Sequence, residues 1–94
     1  MVWFRWTATA TPADIDSALA ALRAMQPQIP GLLEVSCGAN LTSRTPFTHA
    51  LLVKMEGGLP ELAIYDAHPA HQAVVQTHIK PILAEVTALD YVTA

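Results

Sequence analysis

Seven prolines divide this 94-residue chain into short segments and limit where helices can begin and end. Proline lacks a backbone N–H and has a fixed φ, so it suits the first turn of a helix and interrupts a helix elsewhere. Pro12 follows a threonine that can act as N-cap, and Asp14 completes a capping box, which predicts a helix over 12–25. Pro27 and Pro30 end this helix. Apolar residues recur inside it at helical spacing, at Ile15, Leu19, Leu22 and Met25.

The prolines of the second half predict two further helices. Pro60 opens a short one over 61–67. Pro69 interrupts it and starts another over 69–80, because the residue before a proline is pushed out of the helical region. His68 is that preceding residue, and we expect it to cap the second of these helices.

Four segments have the pattern of β-strands, at 2–8, 32–39, 47–56 and 86–92. The third is apolar almost throughout, which is typical of a central strand. The resulting order, β-α-β-β-α-β, predicts an α+β fold of the ferredoxin-like type, in one domain covering 1–94. Helices then cover one face of a four-stranded sheet and leave the other face bare.

The composition requires that this bare face be covered. Hydrophobic residues make up 52% of the chain and charged residues only 14%, whereas soluble domains carry about 25% charged residues. This excludes a disordered chain, and no apolar run reaches the roughly 18 residues of a membrane span. The surplus apolar residues are therefore expected to cover a partner subunit or a ligand cavity. A second copy of the chain, giving a homodimer, is the simplest partner.

Charge and cysteine content narrow the remaining classes. The net charge is −3, and the five Lys and Arg residues do not cluster, so no nucleic-acid partner is expected. The single cysteine, Cys37, cannot form an internal disulfide, and the N-terminus lacks a signal-peptide pattern, so a cytoplasmic location is expected. The sequence has no HExxH motif, no cysteine pair and no Gly-rich phosphate loop, which predicts no metal and no cofactor.

Three segments carry a family resemblance: HALLV at 49–53, YDAHPAHQAVV at 65–75 and LDYV at 89–92. With them the chain resembles the stress-responsive A/B barrel (Dabb) domain along its whole length. The resemblance implies ferredoxin-like protomers whose sheets pack into a homodimeric α/β barrel. It does not imply one reaction, because the family includes olivetolic acid cyclase, a hydroxynitrile lyase and a stress-related oligomer without an assigned reaction.

The resemblance to the cyclase also implies site residues. Its catalytic histidine falls on His71 and its tyrosine on Tyr65, while Asp90 and His49 match two further polar positions. His71 would exchange a proton with the substrate, Tyr65 would polarise a carbonyl or hydroxyl, and Asp90 would orient His71 by accepting its other N–H. Leu22 stands where the cyclase has an aromatic residue.

The residues themselves leave a second interpretation open for each position. His71 is predicted near the third position of its helix, where the positive end of the dipole favours a neutral imidazole, the form that a general base needs. It can equally be a core histidine bonded to a backbone carbonyl or to Asp90. Tyr65 can be an interior residue, and Asp90 a surface charge at a strand end. His49 alternates with apolar residues on the third strand and can line a pocket or only satisfy the strand end.

These residues predict a pocket between the sheet and the helices. Its expected walls are His49, Val2, Phe4, Leu22, Leu51, Val74, Leu83 and Val86. One hypothesis is cofactor-free acid/base catalysis of the cyclase, lyase or isomerase type on a small apolar oxygenated molecule. A second is a non-catalytic, stress-associated or ligand-binding dimer, and a third is a cofactor-free monooxygenase.

Overall fold

The computed structural model describes residues 1–93. Within them the strands are β1 (Val2–Trp6), β2 (Leu32–Ala39), β3 (His49–Met55) and β4 (Leu83–Ala88). The helices are α1 (Pro12–Arg23), α2 (Leu59–Ala67) and α3 (Pro69–Val74), and α3 continues through a π-helical turn, Val75–Ile79, and a 3-10 turn, Lys80–Ile82. No helix in residues 1–93 combines the length and the apolar content needed to cross a membrane.

The four strands form one antiparallel sheet in the order β2-β3-β1-β4. The two central strands are β1 and β3. Strand β1 pairs with β3 on one side and with β4 on the other, and both pairings begin at Val2, which lies opposite Leu51 of β3 and Ala88 of β4. This is the ferredoxin-like α+β fold that the sequence pattern predicts, and the central position of the third strand is confirmed.

The first helix begins with the predicted capping box. The Thr11 hydroxyl accepts from the Asp14 backbone N–H, and the Asp14 carboxylate accepts from the Thr11 N–H, both at 3.1 Å. These two bonds satisfy backbone donors that have no partner within the helix. The helix ends at Arg23 rather than at 25, and Met25 lies in the following turn, where it is completely buried.

The fourth strand differs from the predicted span of 86–92. It runs over Leu83–Ala88, where it pairs with β1 from Trp6 back to Val2. The last two backbone bonds of this ladder join Met1 and Leu89. The segment 89–93 therefore leaves the sheet, and the LDYV motif does not form a strand.

The core lies between the sheet and the helices. Buried aromatic and aliphatic side chains from both layers form it, and the Phe4 and Trp6 rings stack with their centroids 5.0 Å apart. The buried residues are Phe4, Trp6, Ala18, Leu19, Leu22, Met25, Ile29, Val35, Leu51, Tyr65, Val74 and Ile79.

The opposite face of the sheet, here called the outer face, carries no helix within the described residues. Trp3 lies on it, opposite Ala50 of β3, with 38% of its surface exposed and its ring 5.9 Å from that of Phe47. Arg5 pairs there with Glu85 at 3.1 Å. The outer face therefore combines a large exposed aromatic residue with charges of both signs.

Leu22 provides a test of the core packing. It is 2% exposed, so Leu22→Ala should lower the free energy of unfolding by about 2–5 kcal/mol through lost burial and a residual cavity. Urea unfolding at a fixed protein concentration measures this value. Leu41→Ala is the matched control, because Leu41 is 97% exposed, and its effect should stay within about 0.5 kcal/mol. Equal effects of the two changes would contradict the described core.

Candidate active site

The break between α2 and α3 brings two candidate catalytic residues together. His68 has extended backbone angles, φ −63° and ψ 135°, as expected before a proline. Its Nδ1 accepts from the Ala70 backbone N–H at 3.0 Å, so the predicted capping role of His68 is confirmed. Pro69 then occupies the first position of α3, and His71 the third.

The same break leaves the Asp66 carbonyl without a helical donor. Three residues on, Pro69 has no N–H, and four residues on, the Ala70 N–H bonds to the His68 ring. Two side chains donate to this oxygen instead: His71 Nδ1 at 3.0 Å and Gln72 Nε2 at 2.6 Å. Because a carbonyl can only accept, His71 carries its proton on Nδ1, and the Nε2 of the neutral ring is left as a proton acceptor.

The Tyr65 ring packs directly against this imidazole. The ring centroids are 4.5 Å apart, and the planes are tilted by 45°. Tyr65 comes from the last turns of α2 and is buried except for 8% of its surface. The structure thus brings His71 and Tyr65 together across the proline, which their spacing in the sequence does not determine.

The Tyr65 phenol remains a donor at neutral pH. Burial raises its pKa to about 12, and the negative charges of Asp66 and Asp90 contribute to the increase. In the part of the chain that the structure describes, the hydroxyl makes no hydrogen bond to the protein, and no side-chain oxygen is both buried and unpaired. The hydroxyl therefore reaches open space, where a bound molecule can accept its proton.

Asp90 does not take the predicted position beside His71. It lies in segment 89–93, after β4 has ended, and its carboxylate is exposed. The Nδ1–H that Asp90 was expected to accept is bonded to the Asp66 carbonyl. Asp90 acts on the site through its charge, which favours the protonated form of Tyr65.

The residues predicted as pocket walls lie in or beside the core. Phe4, Leu22, Leu51 and Val74 are buried there, Val2 and Leu83 pack against them, and Val86 is exposed. The side chains of the two layers thus fill the space between sheet and helices that the prediction left open for a ligand.

Two clefts open near the ends of α2 and β3 instead. The first, here called the end cleft, has a volume of about 480 Å³, and its walls include Leu52, Lys54, Leu59, Leu62, Leu89 and Asp90. The second, the side cleft, has a volume of about 340 Å³, and its walls include Leu32, Met55, Gly57, Glu61, Ile64 and Tyr65. His71 lines neither of them, whereas Tyr65 lines the side cleft. The sequence pattern carries no signal for either cleft.

His49 lies at the opposite end of β3 from Tyr65. The strand runs from His49 to Met55, about 20 Å at 3.3 Å per residue, and Met55 is the residue that shares the side cleft with Tyr65. The His49 Nδ1 accepts from the Trp6 indole N–H at 2.9 Å, and the two rings are 5.8 Å apart. Alternation along β1 places Trp6 on the same face of the sheet as His49, the face that the helices cover. The contact between Trp6 and His49 could therefore have been expected from the sequence.

Comparisons with known proteins agree with this architecture. A sequence profile described as the stress responsive A/B barrel domain, Dabb, matches residues 1–93. The chain belongs to the Dabb family. A comparison with curated protein sequences finds no match. Within residues 1–93, no group of three or more His, Cys, Asp or Glu side chains could hold a metal ion.

Solved structures of similar fold come from bacteria and plants. A dimeric ferredoxin-like protein of unknown function from Thermobifida fusca YX superimposes on this Dabb domain with a TM-score of 0.80 and 29% identity, over 94% of this chain and 82% of that one. A Dabb family protein from Mesorhizobium loti gives 0.83 and 16%, over 99% and 92%. The hydroxynitrile lyase from Passiflora edulis gives 0.85 and 18%, over 99% and 89%. At identities this low, the last two similarities show only that the folds are alike.

The Trp6–His49 pair predicts a loss of stability in acid. Burial lowers the pKa of the His49 imidazole below its ordinary value of 6.5 and outweighs the charge of Asp16, which raises it. Below pH 6.5 the unfolded chain therefore binds a proton that the folded chain resists, and the free energy of unfolding should fall as the pH falls. Urea unfolding between pH 5 and pH 8 measures the slope.

His49→Gln is the informative variant for this slope. Its amide oxygen can still accept from Trp6 Nε1, but the side chain does not titrate. The pH dependence below 6.5 should be shallower than in the wild type. A slope unchanged by the substitution would show that His49 does not cause the acid sensitivity.

Proposed function

We propose that this Dabb domain acts as a homodimer that catalyses cofactor-independent proton transfer on a small, mostly apolar, oxygenated molecule. The reaction would be of the lyase, cyclase or isomerase type. The contact between the Tyr65 and His71 rings, 4.5 Å between centroids, carries the proposal. The Asp66 carbonyl holds Nδ1 of the imidazole, and Nε2 is free to act as base.

The two residues have complementary roles in this proposal. Tyr65 donates a hydrogen bond to the substrate oxygen and stabilises negative charge as it develops, since its phenol stays protonated far above neutral pH. His71 takes a proton from the substrate hydroxyl or an acidic C–H and returns it to the leaving group. Tyr65 lines the side cleft, which has a volume of about 340 Å³, and the proposal requires a substrate that extends from this cleft to Nε2 of His71, which does not line it.

Cleavage of aromatic cyanohydrins is the first reaction to assay, because the similarly folded Passiflora edulis protein is a hydroxynitrile lyase. If the wild type cleaves mandelonitrile, His71→Ala should lower kcat by about 10²–10⁴. Tyr65→Phe, which removes only the donor, should lower it by about 10²–10³. Release of the aldehyde, followed by absorbance, measures both rates.

His78→Ala is the matched control for these variants. His78 is partly buried in the π-helical turn and has no hydrogen-bond role in the described residues, so the rate should be that of the wild type. Wild-type turnover by His71→Ala would contradict the proposed base.

A second candidate function is a non-catalytic, stress-associated or ligand-binding dimer, and the filled core favours the absence of catalysis. Phe4, Leu22, Leu51 and Val74 occupy the space that a protomer pocket would need. In that case the imidazole serves only the Asp66 carbonyl, which keeps Gln72 as a donor, and His71→Phe should lower the free energy of unfolding by no more than about 0.5–1.5 kcal/mol, the usual contribution of one hydrogen bond.

The homodimer is proposed to form through the outer face. Three similarly folded proteins are described as dimeric, those from Thermobifida fusca, Bacteroides fragilis and Jannaschia sp.. The outer face bears Arg5 and Lys54 against Glu34 and Glu85, so its charges balance and two copies do not repel each other. The exposed ring of Trp3 supplies an aromatic anchor for the contact.

Trp3→Glu tests this interface. The wild type should sediment at twice the 10.1 kDa mass of one chain at micromolar concentration. A carboxylate at Trp3 would be buried without a partner, so the dimer should dissociate at concentrations at least about tenfold higher than for the wild type. Leu41→Glu, in the exposed loop after β2, is the control and should not change the mass. A Trp3→Glu dimer as stable as the wild type would exclude the outer face.

The location is proposed to be cytoplasmic. Cys37 is the one cysteine of the sequence, and its thiol is partly buried with Sγ 3.6 Å from the Leu19 carbonyl. An unpaired structural thiol is typical of proteins kept in a reducing compartment.

A further inference from the structure

The end cleft exists because β3 is longer than its neighbour. β1 pairs with β3 only as far as Leu51, and β3 continues to Met55 with β2 on its other side. Segment 89–93 leaves the sheet beside Met1, held by two backbone hydrogen bonds between Met1 and Leu89 of 2.9 and 3.0 Å. A gap in the sheet therefore lies between β3 and this segment.

The walls of the gap are mainly apolar. Leu59 and Leu62 of α2, Leu52 of β3 and Leu89 line it. The charged residues at the rim include Lys54 and Glu34, which face each other across β3 and β2. These two charges offset each other, and the remaining charged side chain of the lining, Asp90, adds a carboxylate that disfavours an anion. A volume of about 480 Å³ is that of a small-molecule site.

Part of the lining of the end cleft lies on the outer face. Leu52 pairs with Ser36, and Lys54 with Glu34, and both pairs lie on the same side of the sheet as Trp3 and Ala50, because side chains alternate along a strand. A sheet packed face to face on another lies about 10 Å away. A second copy on the outer face would therefore cover this part of the cleft.

We infer that the end cleft binds an uncharged, apolar small molecule, and that the partner subunit completes the site. This inference rests on the homodimer proposed above, but not on the Tyr65–His71 chemistry. Binding and dimerisation are then thermodynamically linked. The dimer binds the molecule more tightly than the monomer does, and each bound molecule raises the dimerisation constant by that same ratio of affinities.

The neutral fluorescent probe N-phenyl-1-naphthylamine tests this coupling. Its emission increases when it enters an apolar site, so its affinity can be measured at protein concentrations below and above dimer dissociation. Sedimentation at the same concentrations gives the fraction of dimer. The affinity should be at least about fivefold higher for the dimer, the lower end of usual coupling factors. The Trp3→Glu monomer should bind weakly although its own cleft is unchanged.

Leu59→Trp identifies the cleft that the probe occupies. Leu59 lines the end cleft and is 80% exposed in one chain, so the larger ring can fill the cleft without disturbing the core. The affinity should fall about tenfold or more. Leu41→Trp makes the same change at an exposed residue outside the cleft and should bind the probe like the wild type.

Three outcomes would overturn the inference. Equal affinity of monomer and dimer would show that the partner does not complete the site, and weaker binding by the dimer would show that partner side chains fill it. Equal affinity of the Leu59→Trp and Leu41→Trp proteins would place the probe elsewhere. In these cases the dimer proposal survives, whereas a wild type that stays monomeric at every concentration contradicts both proposals.

Discussion

The Asp66 carbonyl is the group on which the candidate active site depends. Pro69 cannot donate to it, and His68 takes the only other helical donor, the Ala70 N–H. His71 and Gln72 supply the missing hydrogen bonds. The bond from His71 holds its imidazole against the Tyr65 ring. A backbone requirement created by one proline thus sets both the tautomer and the position of the histidine.

The one-sided sheet explains the unusual composition. The helices and the inner faces of β1 and β3 share one core, and the outer face leaves Trp3 exposed. A chain with 52% hydrophobic residues needs a second surface on which to bury them, and the homodimer proposed above would supply it at the outer face. Three proteins of similar fold are described as dimeric. Part of the end cleft lies on the outer face, so assembly and ligand binding would share one surface.

The fold followed from the sequence more closely than the site did. Helix starts were predicted at Pro12 and Pro69 because proline and its capping partners act locally. The span of β4 was predicted incorrectly, because β4 pairs with β1 and the pairing ends where Val2 lies opposite Ala88. For the same reason LDYV lies outside the sheet. Asp90 consequently lines the end cleft instead of bonding to His71.

The positions of cavities and clefts could not be predicted from the sequence either. Alternation identifies which residues face the helices, but it does not tell whether their side chains leave a cavity. Phe4 and Leu22 are buried where the pocket was expected, and the end cleft arises because β3 extends beyond β1. The tautomer of His71 tests the resulting account most directly. Two-bond ¹H–¹⁵N NMR correlations, with His71→Ala for assignment, should show a neutral ring protonated on Nδ1 with Nε2 bare. A ring protonated on Nε2 would contradict the account, since its only acceptor would then be Nδ1, which lies against the Asp66 carbonyl and not toward a substrate.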